Sequence, residues 1–142
     1  MEEQQLIRKT KRWLKRYRRN VDCIERLKNK LEQLEDRLTS IKTPNLSGMP
    51  RGGVPVSVEE LLSDKFDLER RIGKLEKKGR NYKIEILDEI DTLDDPRYCE
   101  VLESYLIDCI SLDDIANKEG YSIRHIYRLY SEAVEEIAYK QQ

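Results

Sequence analysis

A heptad repeat over residues 6–41 is the sequence feature that most constrains the fold of this chain. With Ile24 assigned to heptad position a, apolar side chains fill the a and d positions, and only Thr10 and Asn20 interrupt them. The d positions hold Leu6, Trp13, Leu27, Leu34 and Ile41, and the a positions hold Tyr17, Ile24, Leu31 and Leu38. This spacing, sustained over about five heptads, predicts a coiled coil, because it keeps one apolar stripe facing a partner helix. A second long helix must therefore cover the stripe.

The partner helix is predicted later in the same sequence. Residues 43–56 contain three of the four prolines and three of the six glycines, so they are predicted to form a linker. Ser57 to Glu60 then reads as a capping box, and a second amphipathic helix follows, with Lys65 and Gly79 on its apolar stripe. We expect this helix to pair antiparallel with the first, either within one chain or across a dimer; the alternative is a parallel dimeric coil with the second helix outside it. A homo-oligomer formed through the long helices is expected.

Shorter helices are predicted towards the C-terminus. Asp94-Asp95-Pro96 ends the second long helix and begins the next one. Helices are predicted over residues 96–109, 112–119 and 123–139, with Ser111 and Ser122 as N-caps and Gly120 as the left-handed residue that ends the middle helix. The predicted fold is therefore all-α, with a long helical hairpin or coiled-coil arm (residues 1–93) followed by a C-terminal helix-turn-helix unit (residues 94–142).

Residues 111–128 have the pattern of a helix-turn-helix. Ala116 is small enough for two helices to cross closely, and Ile115 and Ile126 are placed to fill the space between them. In such motifs the second helix lies in the major groove of DNA, and its first turns contact base edges or phosphates. The predicted DNA-binding residues are Lys118, Ser122, Arg124, His125, Tyr127 and Arg128.

A longer set of residues surrounds this motif. It comprises Asp94-Asp95-Pro96-Arg97-Tyr98, Leu102, Tyr105-Leu106, Leu112 to Ala116, Gly120-Tyr121-Ser122, His125, Tyr127-Arg128-Leu129 and Ala133. With these residues, the region 83–139 resembles the phage late transcriptional regulators of the ArpU and RinA type, which are similar in turn to region 4 of bacterial sigma factors. The resemblance implies an activator of phage or prophage late genes that binds double-stranded promoter DNA in the bacterial cytoplasm. A departure from the pattern is the acidic run of Glu132, Glu135 and Glu136, which confines DNA contacts to the first half of the last helix.

The formal net charge of −1 conceals two oppositely charged segments. Residues 1–42 carry 13 Lys and Arg against 7 Asp and Glu, whereas residues 83–114 carry 2 against 11. The basic residues near the N-terminus are a predicted second phosphate-contacting surface, with Arg8, Lys11, Arg12, Lys15, Arg16 and Arg19 as its members. The alternatives are a solvated coiled-coil face and attraction to the acidic segment of the same or a neighbouring chain.

Enzymatic chemistry has little support in the sequence. His125 is the only histidine, and Cys23, Cys99 and Cys109 lack metal-binding or redox spacing, so neither a metal site nor a cofactor is expected. No apolar run approaches the roughly 18 residues that cross a bilayer, which favours a cytoplasmic protein. The alternative function is a non-enzymatic coiled-coil adaptor that recruits a protein partner, such as RNA polymerase or a defence component.

Overall fold

The computed structural model describes residues 1–42 and 57–140, so the predicted linker at 43–56 lies outside the described residues. The helices are α1 (Glu2–Leu14), α2 (Arg16–Lys42), α3 (Val58–Ile90), α4 (Pro96–Leu106), α5 (Leu112–Glu119) and α6 (Ile123–Lys140). Within these ranges no residue is in a β-strand, which confirms the all-α prediction. No helix in the described part of the chain is long and apolar enough to span a membrane.

Contacts divide the chain into two units, and the division differs from the predicted boundary between residues 93 and 94. One unit comprises residues 22–77, and the other joins residues 1–21 to residues 78–142. The reason is that α1 packs against α6. Leu14 of α1 consequently lies in the same buried cluster as Val134 and Ile137 of α6. The first helix thus completes the core of the C-terminal unit and is not part of a separate arm.

The unit formed by residues 22–77 is an antiparallel helix pair. Lys28 Nζ lies 3.7 Å from Glu76 Oε1, and Lys65 Nζ lies 4.0 Å from Glu35 Oε1, so the partner numbers fall along α3 as they rise along α2. The apolar residues buried in this pair are Leu27, Leu38, Leu61 and Ile72. Within this unit the single chain therefore adopts the antiparallel pairing predicted from the two apolar stripes.

The heptad register does not continue through α1. Lys15 separates α1 from α2, with φ −82° and ψ 0°. Thr10 and Leu14 are buried, at 3% and 0% exposure, whereas Leu6 and Trp13 on the predicted stripe are only half-buried. Thr10 was predicted to interrupt the apolar stripe, but its hydroxyl donates to the Leu6 carbonyl at 2.9 Å, and this bond permits its burial.

The C-terminal helices begin and end where local signals place them, with one exception. The Ser111 hydroxyl accepts from the Asp114 amide, and Gly120 is left-handed with φ 71°, so α5 has the predicted bounds. The prediction of a helix over 96–109 is wrong at its end, because α4 stops at Leu106. Cys109 adopts a φ of 60°, which a continuing right-handed helix excludes.

Candidate nucleic-acid interface

The helix-turn-helix pattern corresponds to α5, the turn at residues 120–122 and the start of α6. Ile115 and Ala116 of α5 and Ile126 of α6 are buried, at 2%, 1% and 0% exposure, which confirms their predicted packing roles. Helix α4 packs on both α5 and α6. The core therefore fixes the orientation of α6 through one face and leaves the opposite face open.

The open face of α6 lies at its N-terminal end. Ser122, Arg124 and Arg128 are exposed, and Ile123 and Tyr127 each expose 48% of their surface. The Ser122 hydroxyl accepts from the His125 amide at 3.1 Å and so caps the helix. A rigid helix whose first two turns carry exposed arginine, aromatic and aliphatic side chains has the shape and chemistry of a major-groove reading element.

An open surface depression of about 720 Å³ lies at the start of this face. Its lining residues are Gly120, Tyr121, Ser122, Arg124, His125 and Arg128. Tyr121, which the sequence did not single out as a contact, meets the His125 ring edge to face, with the centroids 4.9 Å apart and the planes at 68°. Its position in the turn, one residue before the predicted N-cap Ser122, was the available signal.

A chain of polar contacts holds Arg128. Its Nη2 lies 2.9 Å from His125 Nδ1, and its Nε lies 4.0 Å from Glu132 Oε1. On the other side of Glu132, the Tyr98 hydroxyl donates to Oε2 at 2.8 Å, and this bond raises the pKa of Tyr98. Glu132 is thus engaged from two sides, by α4 and by α6. Two groups orient the Arg128 guanidinium before any ligand is bound.

The charge on the helix-turn-helix is balanced. It carries three cations, Lys118, Arg124 and Arg128, and α5 carries three carboxylates, of which Asp113 and Asp114 lie at its N-terminus. Among the described residues, neither Lys118 nor Arg124 has an ion-pair partner within 4.0 Å. Because non-specific affinity for DNA comes chiefly from neutralising phosphates, this balanced charge would give the helix-turn-helix little general attraction for DNA.

The basic residues between positions 8 and 19 form two groups: those that contact other side chains or carbonyls of the unit, and those that form no ion pair within the described residues. Arg16 belongs to the first group. Its Nη2 forms an ion pair with Glu85 at 2.5 Å, and its Nε donates to the Trp13 carbonyl at 3.0 Å. The guanidinium also lies 4.5 Å from the Trp13 ring centroid and 4.6 Å from that of Tyr82. This residue therefore holds the first turn of α2 against α3, as the attraction to the acidic segment anticipated.

Lys15 and Arg18 are also used within the unit. Lys15 Nζ lies 5.9 Å from the Tyr105 ring centroid, and the Arg18 guanidinium lies 4.4 Å from the same ring. Arg18 Nε donates to the Tyr105 carbonyl at 3.1 Å. The second group consists of Arg8, Lys9, Lys11, Arg12 and Arg19, for which the described part of the chain supplies no ion pair.

The described residues contain no cluster of three or more His, Cys, Asp or Glu placed to bind a metal ion. Cys23, Cys99 and Cys109 are half-buried and form no disulfide within the described residues. The Cys99 thiol donates to the carbonyls of Ile90 and Leu93, and burial raises its pKa, so it is a poor nucleophile.

Comparisons with models of protein families, with curated proteins and with solved structures find no match for this chain.

Proposed function

We propose that this chain is a sequence-specific transcriptional regulator that reads double-stranded promoter DNA with the first turns of α6. The observation that carries the proposal is the asymmetry of that helix. Ile126 and Leu129 lock one face into the core at 0% and 2% exposure, while Arg124, Tyr127 and Arg128 stand exposed on the other. A fixed helix with a short polar and aromatic reading face is what a major-groove contact requires.

Each side chain on this face has a distinct role. Arg124 and Arg128 are placed to bind guanine O6 and N7, and the apolar parts of Ile123 and Tyr127 are suited to thymine methyl groups. Ser122 and Lys118 lie beside the N-terminus of α6, where backbone amides and positive charge favour a phosphate. The polar contacts from His125 and Glu132 lower the entropy lost when Arg128 engages a base.

The resemblance to phage late regulators supports a finer proposal. The chain would activate late genes of a phage or prophage, in the bacterial cytoplasm, through contact with RNA polymerase. A homo-oligomer would place two reading heads, each formed by α5, the turn at residues 120–122 and the first turns of α6, on neighbouring half-sites, as DNA-binding dimers do.

The reading face is tested by removing its two arginines. A duplex is first selected from a random pool with the intact protein, and its affinity is measured by fluorescence anisotropy. The double variant Arg124→Ala, Arg128→Ala is expected to lose at least about 30-fold in affinity for that duplex, because each of the two bidentate arginine–guanine pairs contributes about 1–3 kcal/mol of discrimination. The matched control is Lys30→Ala, Lys74→Ala, two exposed cations of the other unit, which should bind normally. Unchanged affinity in the arginine variant would refute the assignment.

A second candidate function is an adaptor that recruits a protein partner. It is favoured by Phe66, which exposes 58% of its surface on α3 in the antiparallel helix pair. Replacement of Phe66 by Ser should abolish recruitment in a transcription assay and leave DNA binding intact if this account holds. Unchanged recruitment by the Phe66→Ser variant would contradict an adaptor that docks its partner on Phe66.

A further inference from the structure

We propose that α1 and the first turn of α2 form a second DNA-binding surface, which contacts the phosphate backbone beside the sequence that α6 reads. The surface comprises Arg8, Lys9, Lys11, Arg12 and Arg19 and is called here the cationic face. The inference rests on the proposed function, since it assigns the source of general DNA affinity to a part of the molecule other than the reading head.

The first observation is how the unit uses its cations. Three basic residues of this segment are half-buried and contact aromatic rings or Glu85: Lys15, Arg16 and Arg18. These cations therefore stabilise the packing of the unit. No ion pair within the described residues involves the cationic face, although residues 83–114 carry 11 carboxylates in the same unit. Its charges are therefore left for a ligand outside the chain.

The second observation is that the exposed arginines of α1 share one side of the helix. Arg8, Arg12 and Arg19 are all exposed. At about 3.6 residues per turn, Arg8 and Arg12 lie about 40° apart on α1, opposite the buried Thr10 and Leu14. Arg19 lies in the first turn of α2, which begins directly after the single-residue break at Lys15.

The third observation is that the cationic face is fixed relative to the reading helix. Helix α1 packs directly on α6, and the Tyr139 hydroxyl donates to Glu3 Oε1 at 3.0 Å. At the other end of α1, Lys15 lies over Tyr105, whose ring packs against Tyr130 with centroids 5.2 Å apart. Helix α1 therefore runs from the C-terminal end of α6 towards its middle, in the direction of the reading end.

The chemistry of the cationic face fits a phosphate backbone better than a protein surface. The aromatic residues of this segment, Trp13 and Tyr17, are half-buried against the core and are not displayed beside the exposed arginines. A face of flexible cations without apolar anchors lacks the buried centre of a protein interface. It matches the backbone-positioning contacts that supply most of the salt-dependent affinity for DNA.

The test is the salt dependence of binding by the full chain. The variant Arg8→Ala, Arg12→Ala, Arg19→Ala is compared with Lys30→Ala, Lys74→Ala, Lys77→Ala, which removes three exposed cations from the other unit. Affinity for the selected duplex and for an unrelated duplex is measured at several salt concentrations. Each lost phosphate contact lowers the slope of log K against log salt by about 0.9, so the first variant should lose about 3 from the slope on both duplexes. The control should keep the slope of the intact protein.

The outcomes separate the two proposals. If the arginine variant keeps the intact protein's slope of log K against log salt, the cationic face does not contact phosphates, and the proposed sequence reading by α6 is unaffected. A lowered slope with an unchanged affinity ratio between the two duplexes supports the cationic face. If the intact protein binds both duplexes equally, the proposed function fails, while a lowered slope in the variant would still support the phosphate contact. The charge-preserving variant Arg8→Lys, Arg12→Lys, Arg19→Lys should retain the full slope.

Discussion

Asn20 packs against Gly79 so closely that a Cβ at position 79 would lie 2.4 Å from Asn20 Nδ2. Both residues interrupt the apolar stripes of their helices, and they are brought together within one unit. Asn20 is 7% exposed, so its amide has little room to move away. The absence of a side chain at Gly79 thus leaves the space that the Asn20 amide occupies.

Gly79→Ala is expected to destabilise the protein by about 1 kcal/mol. Overpacking a buried site costs about 1–3 kcal/mol, and the gain in helix propensity of about 1 kcal/mol offsets only part of it. Gly73→Ala is the matched control, because a Cβ at Gly73 would meet nothing within 4 Å. That variant should be stabilised by about 0.5–1 kcal/mol. Urea unfolding of both variants checks the pair, and equal shifts would contradict the close packing of Asn20 on Gly79.

Cys109→Gly should stabilise the C-terminal unit. Cys109 is the one non-glycine residue with a positive φ among the described residues, at 60°. The left-handed conformation costs an L-residue about 1–2 kcal/mol, and the greater freedom of glycine in the unfolded chain offsets part of that gain. We expect a net gain of about 0.5 kcal/mol for Cys109→Gly and a loss for Cys109→Ala, measured by thermal unfolding. The opposite order would show that the thiol contacts outweigh the backbone strain.

Ionisation of the buried Tyr130 phenol should destabilise the protein at high pH. The Tyr130 hydroxyl is buried and has no hydrogen-bond partner among the described residues, and burial raises its pKa from 10.0 to about 12. Because the folded-state pKa is the higher one, the protonated phenol stabilises the fold fully below pH 10, and this contribution is lost as the pH rises towards about 12. The loss amounts to about 3 kcal/mol, from about 1.4 kcal/mol for each tenfold change in proton affinity.

Tyr130→Phe is the control for that pH dependence. It removes an unsatisfied buried hydroxyl, so the stability at pH 7 should be unchanged or slightly higher. Its stability should also fall less between pH 10 and 12 than that of the intact protein, although Tyr98 and Tyr139, whose pKa values are raised by Glu132 and Glu3, keep part of the decline. Identical alkaline profiles for the two proteins would show that the Tyr130 phenol is not responsible.

Residues 22–77 should be dispensable for the fold of the other unit. The buried cluster that includes Leu14, Ile86, Leu102 and Ile137 contains no residue of that segment. A chain in which a short Gly and Ser loop replaces residues 22–77 should therefore retain a cooperative thermal transition. Deletion of residues 1–14 should instead lower the melting temperature sharply, since it removes Leu14 and the packing of α1 on α6. Loss of the cooperative transition in the loop variant would contradict this division.

The elements that sequence reasoning placed correctly are those set by local backbone preference. Ser111 and Gly120 define α5 because a hydroxyl cap and a positive φ act within a few residues of the chain. The register of α1 was not predictable in this way. Burial of Thr10 and Leu14 depends on α6, which lies more than a hundred residues further along the chain. A heptad pattern predicts which face of a helix is apolar, but it does not predict which helix will pack against that face.

The same distinction applies to the candidate interface. Exposure of Arg124 and Arg128 followed from helical periodicity once Ile126 was assigned to the core. The contact of Tyr98 with Glu132 joins α4 to α6 and has no sequence signal, because it requires the crossing of two helices to be known. The sequence could thus predict which side chains reach the surface but not which of them are held in place.

The most direct test of the central claim is the affinity ratio between a duplex selected from a random pool and a shuffled duplex of the same composition. Both affinities are measured with the intact chain at one physiological salt concentration. Sequence reading by α6 predicts a ratio of about 1,000 or more, as sequence-specific regulators show, and a substantial decrease in that ratio for Arg124→Ala, Arg128→Ala. A ratio near one in the intact chain, or an unchanged ratio in that variant, would contradict sequence reading by the first turns of α6.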